Sequence, residues 1–395
     1  MTSTTTPVAW KRMRNWAFAT GLALSGVALS ACGSSSDDAG SDSSTTAAAS
    51  SSTDTSTGSD ALADLTKPLD AYPVPTDAVD AKALSGKTIY YIPISQQAPQ
   101  FSITAKGLTA AAAKVGAKVQ VCDGKGTPTD IGACVGQATS AKAAAIIVDA
   151  IPYGLAANGL DAAQKAGIPV IVGNNIPDEA HPASKTLAYV GPEAGGDMEK
   201  ALARFVIADS DGKANLLINA DTDGPSPLAW VKEGQQIFDD ECPDCKVATN
   251  NVSSANFNLV VPSTSSALLK DPNITYVQSQ YEQFLQPTQT AIQQASRTGI
   301  KVLDGAAGIA SVKAVEAGTL VATAGQASTY QGWVYLDAVA RLTAGSAVPD
   351  YTIPVRLFTK DTLGDTKVTE AAQDSGEWFG PTTFTDDFAK LWGVA

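Results

Sequence analysis

Lys87-Thr88-Ile89-Tyr90-Tyr91-Ile92-Pro93-Ile94 is the stretch whose reading sets the fold. Its β-branched and aromatic residues, bounded by Gly86 and the loop Ser95–Phe101, read as a buried strand. An alanine-rich helix over Ser102–Val115 follows and ends at Gly116, the residue a helix C-cap favours. The alternation continues with strand Lys118–Cys122, a helix around Ile131–Ser140, strand Ala144–Asp149, helix Tyr153–Ala166, strand Ile168–Val172 and a short strand Leu187–Val190. Strands and helices alternating at this spacing give parallel βαβ units with right-handed crossovers.

The pattern then restarts. Helices are predicted over Asp197–Ser210, Leu228–Phe238, Phe257–Leu269 (despite Pro262), Pro287–Arg297, Ala310–Ala317 and Tyr330–Thr343. Strands interleave at Ala214–Ile218, Lys246–Thr249, Ile274–Gln278, Ile300–Leu303 and Leu320–Gly325. The chain is therefore α/β, with two successive lobes of similar size. Ala61–Ser85, with Pro68, Pro73 and Pro75, reads as an extended arm with a short helix near Asp77–Leu84, lying on the first lobe. Trp378, Phe379, Phe384, Phe388 and Trp392 mark an aromatic tail, expected as a helix and loop on the second lobe.

Upstream, Lys11, Arg12 and Arg14 precede an apolar run from Trp16 to Leu29, short for a membrane-spanning helix, which ends in Leu29-Ser30-Ala31-Cys32. The small residues fit a signal peptidase in extended form, and Cys32 offers a thiol for diacylglycerol transfer. Residues 1–31 thus resemble a bacterial lipoprotein signal. Residues 32–60 are almost wholly Ser, Thr, Ala, Gly and Asp. Such a segment buries too little apolar surface to order itself, and as a flexible tether it would reach roughly 30 Å. The reading is an extracytoplasmic protein anchored to the cell membrane through lipidated Cys32.

Lys and Arg number 27 against 40 Asp and Glu; without the three signal cations 24 remain, a net charge near −16. That balance argues against nucleic acid or an anionic membrane surface as a partner. A single histidine, His181, leaves little from which to build a histidine metal site or a serine triad, and no metal or cofactor is expected. Beyond Cys32 the cysteines are Cys122, Cys134, Cys242 and Cys245. An even number in an exported chain suggests two disulfides; three pairings are possible, and nearness in sequence favours Cys122–Cys134 and Cys242–Cys245. Cys242-Pro243-Asp244-Cys245 also has zinc-knuckle and redox spacing, but its helix-to-strand corner favours a structural staple.

In open parallel sheets, ligands bind beyond the C-terminal strand ends. Those ends carry Gln96, Gln97, Phe101, Asp149, Asn174 and Asn175 in the first half. In the second they carry Asp221, the loop before Trp230, Asn256, Phe257, Gln280, Tyr281, Asp304 and Gln326. Paired amides and acids answer vicinal hydroxyls, and aromatic faces cover the C–H surface of a sugar. The candidate ligand-binding residues are Gln97, Phe101, Asp149, Asn174, Asn175, Trp230, Phe257, Gln280 and Gln326. Phe101, Phe257 and Trp230 have a core reading as well, and Asn174, Asn175 and Asp149 a capping one.

Several stretches resemble the type I periplasmic binding proteins, the solute receptors of ABC importers, in the ribose/galactose-type sugar-binding branch. They are Lys87–Ile94 with its Pro-Gln-Phe loop, Ala166-Gly167-Ile168-Pro169-Val170-Ile171-Val172, Tyr189-Val190-Gly191 with Gly195-Gly196, and Val315–Thr323 before Gln326. The likeness covers about Gly86 to Pro354. It implies two Rossmann-like lobes joined by a three-crossing hinge near Val190–Glu193, Gln326–Ser328 and Ile353–Val355. Lobe 1 would hold 86–190 plus 327–353, and lobe 2 would hold 191–326 plus 354–395, with 61–85 as the arm. By family position Phe101 and Phe257 match stacking aromatics, Asn174 and Asn175 a polar pair, Gln280 an amide and Gln326 a hinge-side amide. An arginine expected after the second lobe's first strand is replaced by Trp230-Val231, and an expected Gly-Phe-Asp-Gly acid is displaced in Leu303-Asp304-Gly305-Ala306. The implied site is more neutral and aromatic than a pentose receptor's.

The leading functional reading is a monomeric, lipid-anchored receptor that captures a small sugar-like solute and delivers it to an ABC permease. A sensory or interaction lipoprotein of the same fold is the second reading. The third is an exported hydrolase using carboxylates such as Asp149 with Asp304, since GxSxG and HExxH are both missing from the sequence.

Overall fold

The computed structural model describes residues 62–395, so Cys32, the signal and the tether lie outside the described residues. Strands β1 (Thr88–Pro93), β2 (Lys118–Val121), β3 (Ala145–Asp149), β4 (Val170–Gly173) and β5 (Leu187–Val190) form one parallel sheet, ordered β2-β1-β3-β4-β5. Strands β6 (Asn215–Asp221), β7 (Lys246–Val252), β8 (Tyr276–Ser279), β9 (Lys301–Gly305), β10 (Ala322–Gln326) and β11 (Val355–Thr359) form the other, ordered β11-β10-β9-β8-β6-β7. Only β11 runs antiparallel to its neighbour in that sheet. In each sheet the strand order reverses beside the first strand, which opens a crevice at the C-terminal edge. The two α/β lobes and their helix-flanked sheets are the predicted fold class, with strand interiors such as Ile146, Ile147 and Val148 buried completely.

Helix α1 (Pro99–Lys114) begins before the predicted Ser102 because Pro99 takes the first turn, where its missing N–H costs nothing. Helices α2 (Pro128–Ser140), α3 (Ala157–Lys165), α4 (Ala194–Asp209), α5 (Pro225–Glu241), α6 (Val260–Lys270), α7 (Leu285–Gln294) and α8 (Ile309–Glu316) fill the crossovers. The predicted helix from Phe257 divides into a 3-10 segment, Ser254–Leu259, and α6, whose first turn accommodates Pro262. Helix α9 (Ser328–Ala344) follows β10 of the second sheet yet packs against α1 of the first lobe. A Cβ on Gly107 would fall 2.3 Å from the Thr329 carbonyl oxygen, and one on Gly332 2.3 Å from the Leu108 nitrogen. Glycine at both positions lets the two backbones touch.

Three expectations are corrected. Strand β11 was not foreseen beyond the expected crossing at Ile353–Val355; it hydrogen-bonds to β10 as the antiparallel edge of the second sheet. Where the arm was expected to form a helix from Asp77, it forms a 3-10 turn at Lys82–Leu84 instead. The segment 354–395 does not belong wholly to the second lobe. After β11, helices α10 (Glu370–Ser375) and α11 (Phe384–Leu391) turn back onto the first lobe. Trp392 stacks on Trp333 of α9 with ring centroids 5.6 Å apart, and Phe384 and Phe388 pack on Tyr330 and Trp333. The reason is α9 itself, whose outer face is aromatic and buries only because the tail covers it.

The disulfides Cys122–Cys134 and Cys242–Cys245 are the two favoured by sequence proximity, with Cα atoms 5.8 and 5.4 Å apart. The second closes the corner between α5 and β7. Among the described residues, no helix is long and apolar enough to cross a membrane.

Candidate functional site

The C-terminal edges of the two sheets face each other across a narrow pocket. The first lobe contributes Gln97, Gln100 and Phe101 from the loop after β1 and the start of α1, and Asn174 and Asn175 from the end of β4. The second contributes Asp221 and Asp223 after β6, Met198 of α4, Trp230 of α5, Ser254, Tyr281 and Gln283, and Gln326 at the end of β10. Direct hydrogen bonds bridge the lobes at the rim: Ser226 Oγ donates to Asn175 Oδ1 at 3.2 Å and accepts from the Ile176 N–H at 3.1 Å. Among the described residues, no lysine or arginine lines the pocket.

Its hinge side rests on a buried network. Tyr91 Oη donates to Asp149 Oδ2 and Asn174 Nδ2 to Asp149 Oδ1, each at 2.7 Å. Asn174 Oδ1 accepts from Gln326 Nε2 at 3.1 Å and Gln331 Nε2 at 3.0 Å, and Gln326 Nε2 also reaches Gln331 Oε1 at 2.6 Å. Gln331 Nε2 donates in turn to the Tyr335 hydroxyl at 3.0 Å. Gln326 sits on the second sheet and Asn174 and Gln331 on the first lobe, so these amides join the lobes. Asn174 holds φ at 49°, a left-handed conformation that asparagine tolerates better than most residues, and this turns its side chain toward the hinge. Burial raises the Asp149 carboxyl above its usual range, opposed by the hydrogen bonds of Tyr91 and Asn174.

The opposite wall is acidic. Asp223 accepts from Ser253 Oγ and, at 2.7 Å, from the Ser254 N–H, and its own N–H donates to Asp221 Oδ1 at 2.9 Å. Burial, then the neighbouring Asp223 charge, pushes the Asp221 carboxyl up to about 8. Gln280 holds this loop: its Oε1 accepts from the Asp221 N–H at 2.6 Å and its Nε2 donates to the Pro227 carbonyl at 3.0 Å. Trp230 is locked by Nε1–H donating to Pro192 O at 3.0 Å, and its ring lies where a Cβ on Gly195 would be, 2.2 Å from Cε3.

The structure therefore gathers Gln97, Phe101, Asn174, Asn175, Trp230 and Gln326 around one pocket. It does not bring Asp149, Gln280 or Phe257 to that wall. Both Asp149 oxygens are consumed by the network, Gln280 is spent on backbone groups, and Phe257 sits 37% exposed outside the pocket, stacked on Phe284 with centroids 5.9 Å apart. Asp304, the partner suggested for a carboxylate enzyme, is buried beneath Ser311 Oγ at 2.5 Å and does not line the pocket either. Gln100, Met198, Asp223, Ser254 and Gln283 were not singled out in the sequence. Gln100 and Gln283 stand one to three residues from flagged positions, whereas Met198 carries no sequence signal because it arrives from a helix.

Two doubly wound lobes meeting at a pocket of amides and aromatic rings define the class of two-lobed binding proteins. The Periplasmic binding protein domain family matches residues 89–347, and the chain belongs to that family, whose members are extracytoplasmic binding proteins and not enzymes. A search of curated proteins finds no match. The fold is that of a 5-methylthioribose transporter solute-binding protein from Thermotoga lettingae TMO, solved with 5-methylthioribose: TM-score 0.66, 18% identity, covering 80% of this chain and 100% of that one. A Caulobacter myo-inositol binding protein bound to myo-inositol gives TM-score 0.63 at 20% identity, over 71% of this chain and 95% of that one. An ABC transporter solute-binding protein from Agrobacterium vitis with bound allitol gives 0.62 at 18%, over 71% and 98%.

Proposed function

We propose that this protein is a lipid-anchored solute receptor of an ABC importer, capturing a small neutral polar solute, a sugar or polyol, between its lobes. The observation that carries this is the pocket wall: amides Gln97, Asn175 and Gln326 beside the rings of Phe101 and Trp230, with no basic side chain among the described lining residues. Amides both donate and accept, as vicinal hydroxyls require, and the rings desolvate the C–H face. An anionic solute would meet Asp221 and Asp223 without a compensating cation. The sugar and polyol ligands of the structural neighbours support the same solute class, and Leu29-Ser30-Ala31-Cys32 supports the lipid anchor. Capture proceeds by lobe closure about the hinge, and the closed form is what the permease recognises.

The test is a thermal-shift screen of the purified chain against monosaccharides, polyols, nucleosides and amino acids. A solute at 100 times its Kd adds about 2.7 kcal/mol of stability, an easily read rise. Hits among sugars or polyols that Gln326→Ala and Phe101→Ala abolish support the reading. Hits confined to nucleosides or amino acids overturn the solute class.

A further inference from the structure

A second, open groove adjoins the pocket. Gln97 of the first lobe and Gln283 of the second line it on one side and, on the other, line a separate open groove along the cleft rim. The 3-10 segment Ser254–Leu259 makes the same transition: Ser254 faces the pocket and Phe257 the groove. Within that segment Asn256 leaves helical geometry, with φ −121° and ψ 43°. Phe257 is thereby left 37% exposed, with one face backed by the fully buried Phe284. A half-exposed phenyl ring braced from behind is a poor core residue and a good platform.

The groove's polar lining fits such a platform. Gln286 and Gln289 line it from α7, continuing from Gln283 at successive intervals of three residues, so the amides follow one side of the chain. Glu282 is the acid there, and its Oε1 accepts from the Ser311 N–H at 3.3 Å at the start of α8. A neutral strip of amides beside an aromatic face repeats the chemistry of the inner pocket at larger scale.

We infer that this groove is an outer subsite for the second ring of a disaccharide or glycoside whose first ring occupies the inner pocket, an inference that rests on the sugar-receptor reading. The second ring lies on Phe257 with its C–H face and presents hydroxyls to Gln286 and Gln289, while Gln97 and Gln283 flank the linkage.

The test is isothermal titration of the full chain with matched pairs: glucose with cellobiose and maltose, galactose with lactose, xylose with xylobiose. At least one disaccharide is expected to bind tenfold or more tightly than its monosaccharide. Phe257→Ala and, separately, Gln286→Ala are expected to close most of that gap. Both residues are on the surface side of the fold, and an unchanged far-ultraviolet spectrum and melting temperature confirm folding. Monosaccharides binding as tightly as every matched disaccharide overturn the subsite and leave the receptor reading intact, as does a disaccharide advantage untouched by both substitutions. Absence of binding by all seven sugars overturns the subsite, and loss of polyol hits in the broader screen then removes the receptor reading as well.

Discussion

Gly173→Ala should damage both stability and the site, for one geometric reason. A methyl group at Gly173 would sit 1.8 Å from the Tyr335 hydroxyl oxygen and 2.5 Å from its Cζ. Tyr335 is completely buried in α9 and cannot swing into solvent. It must therefore shift within a packed core, at a cost of about 1–3 kcal/mol for overpacking. The shift also pulls its hydroxyl from Gln331 Nε2, a buried bond worth about 1 kcal/mol. The expected loss is about 2–4 kcal/mol. Because Gln331 also donates to Asn174 Oδ1, ligand affinity should fall with it. Urea unfolding at constant m-value measures the first effect and titration with the bound sugar the second. Tyr335→Phe removes the oxygen at closest approach, so the double variant should lose less than the two single losses added together. A Gly173→Ala protein within 0.5 kcal/mol of the parent, with unchanged affinity, would refute the account of the hinge.

Burial holds the carboxyls of Asp221 and Asp304 up to about 8 in the folded chain, above the unfolded value near 3.9. The folded state therefore binds more protons than the unfolded one, and unliganded stability should decline as pH rises from about 4 to about 8. Melting temperature against pH reads this, and Asp304→Asn should flatten the slope. Replacing Cys122 and Cys134 by serine should cost about 3 kcal/mol by loop-closure entropy and the shorter Cys242–Cys245 loop about 2, ranked by denaturant midpoint. Trp392→Ala should cost about 3–5 kcal/mol, since it removes a completely buried ring from Trp333 and a donor from Asp337 Oδ1 at 2.8 Å. Melting close to the parent temperature would show that the tail is not part of the first lobe's core.

The fold was legible because its signals are local. Strand β1 and the helix after it announce themselves by composition and by Gly116, and the same period repeats to the end of α9. Strand ends are local too, which is why Asn174, Asn175 and Gln326 could be named. What lay beyond the sequence was the direction of each side chain once two sheets are brought together. Asp149 and Gln280 stand at strand ends as predicted but turn inward, because a buried tyrosine and an unsatisfied backbone N–H claim them first.

By itself, then, the sequence determined the two α/β lobes and the polar, aromatic character of the strand-end loops, and it favoured the disulfide pairing that the structure then fixed among three. These follow from periodicity, spacing and residue type, which act over a few residues at a time. Tertiary structure alone decided that α9 returns to the first lobe, that the aromatic tail follows it there, and that Phe257 stands outside the pocket. Each depends on contacts between residues far apart in the chain, such as Gly107 with Thr329 and Trp333 with Trp392, whose closeness arises only from packing.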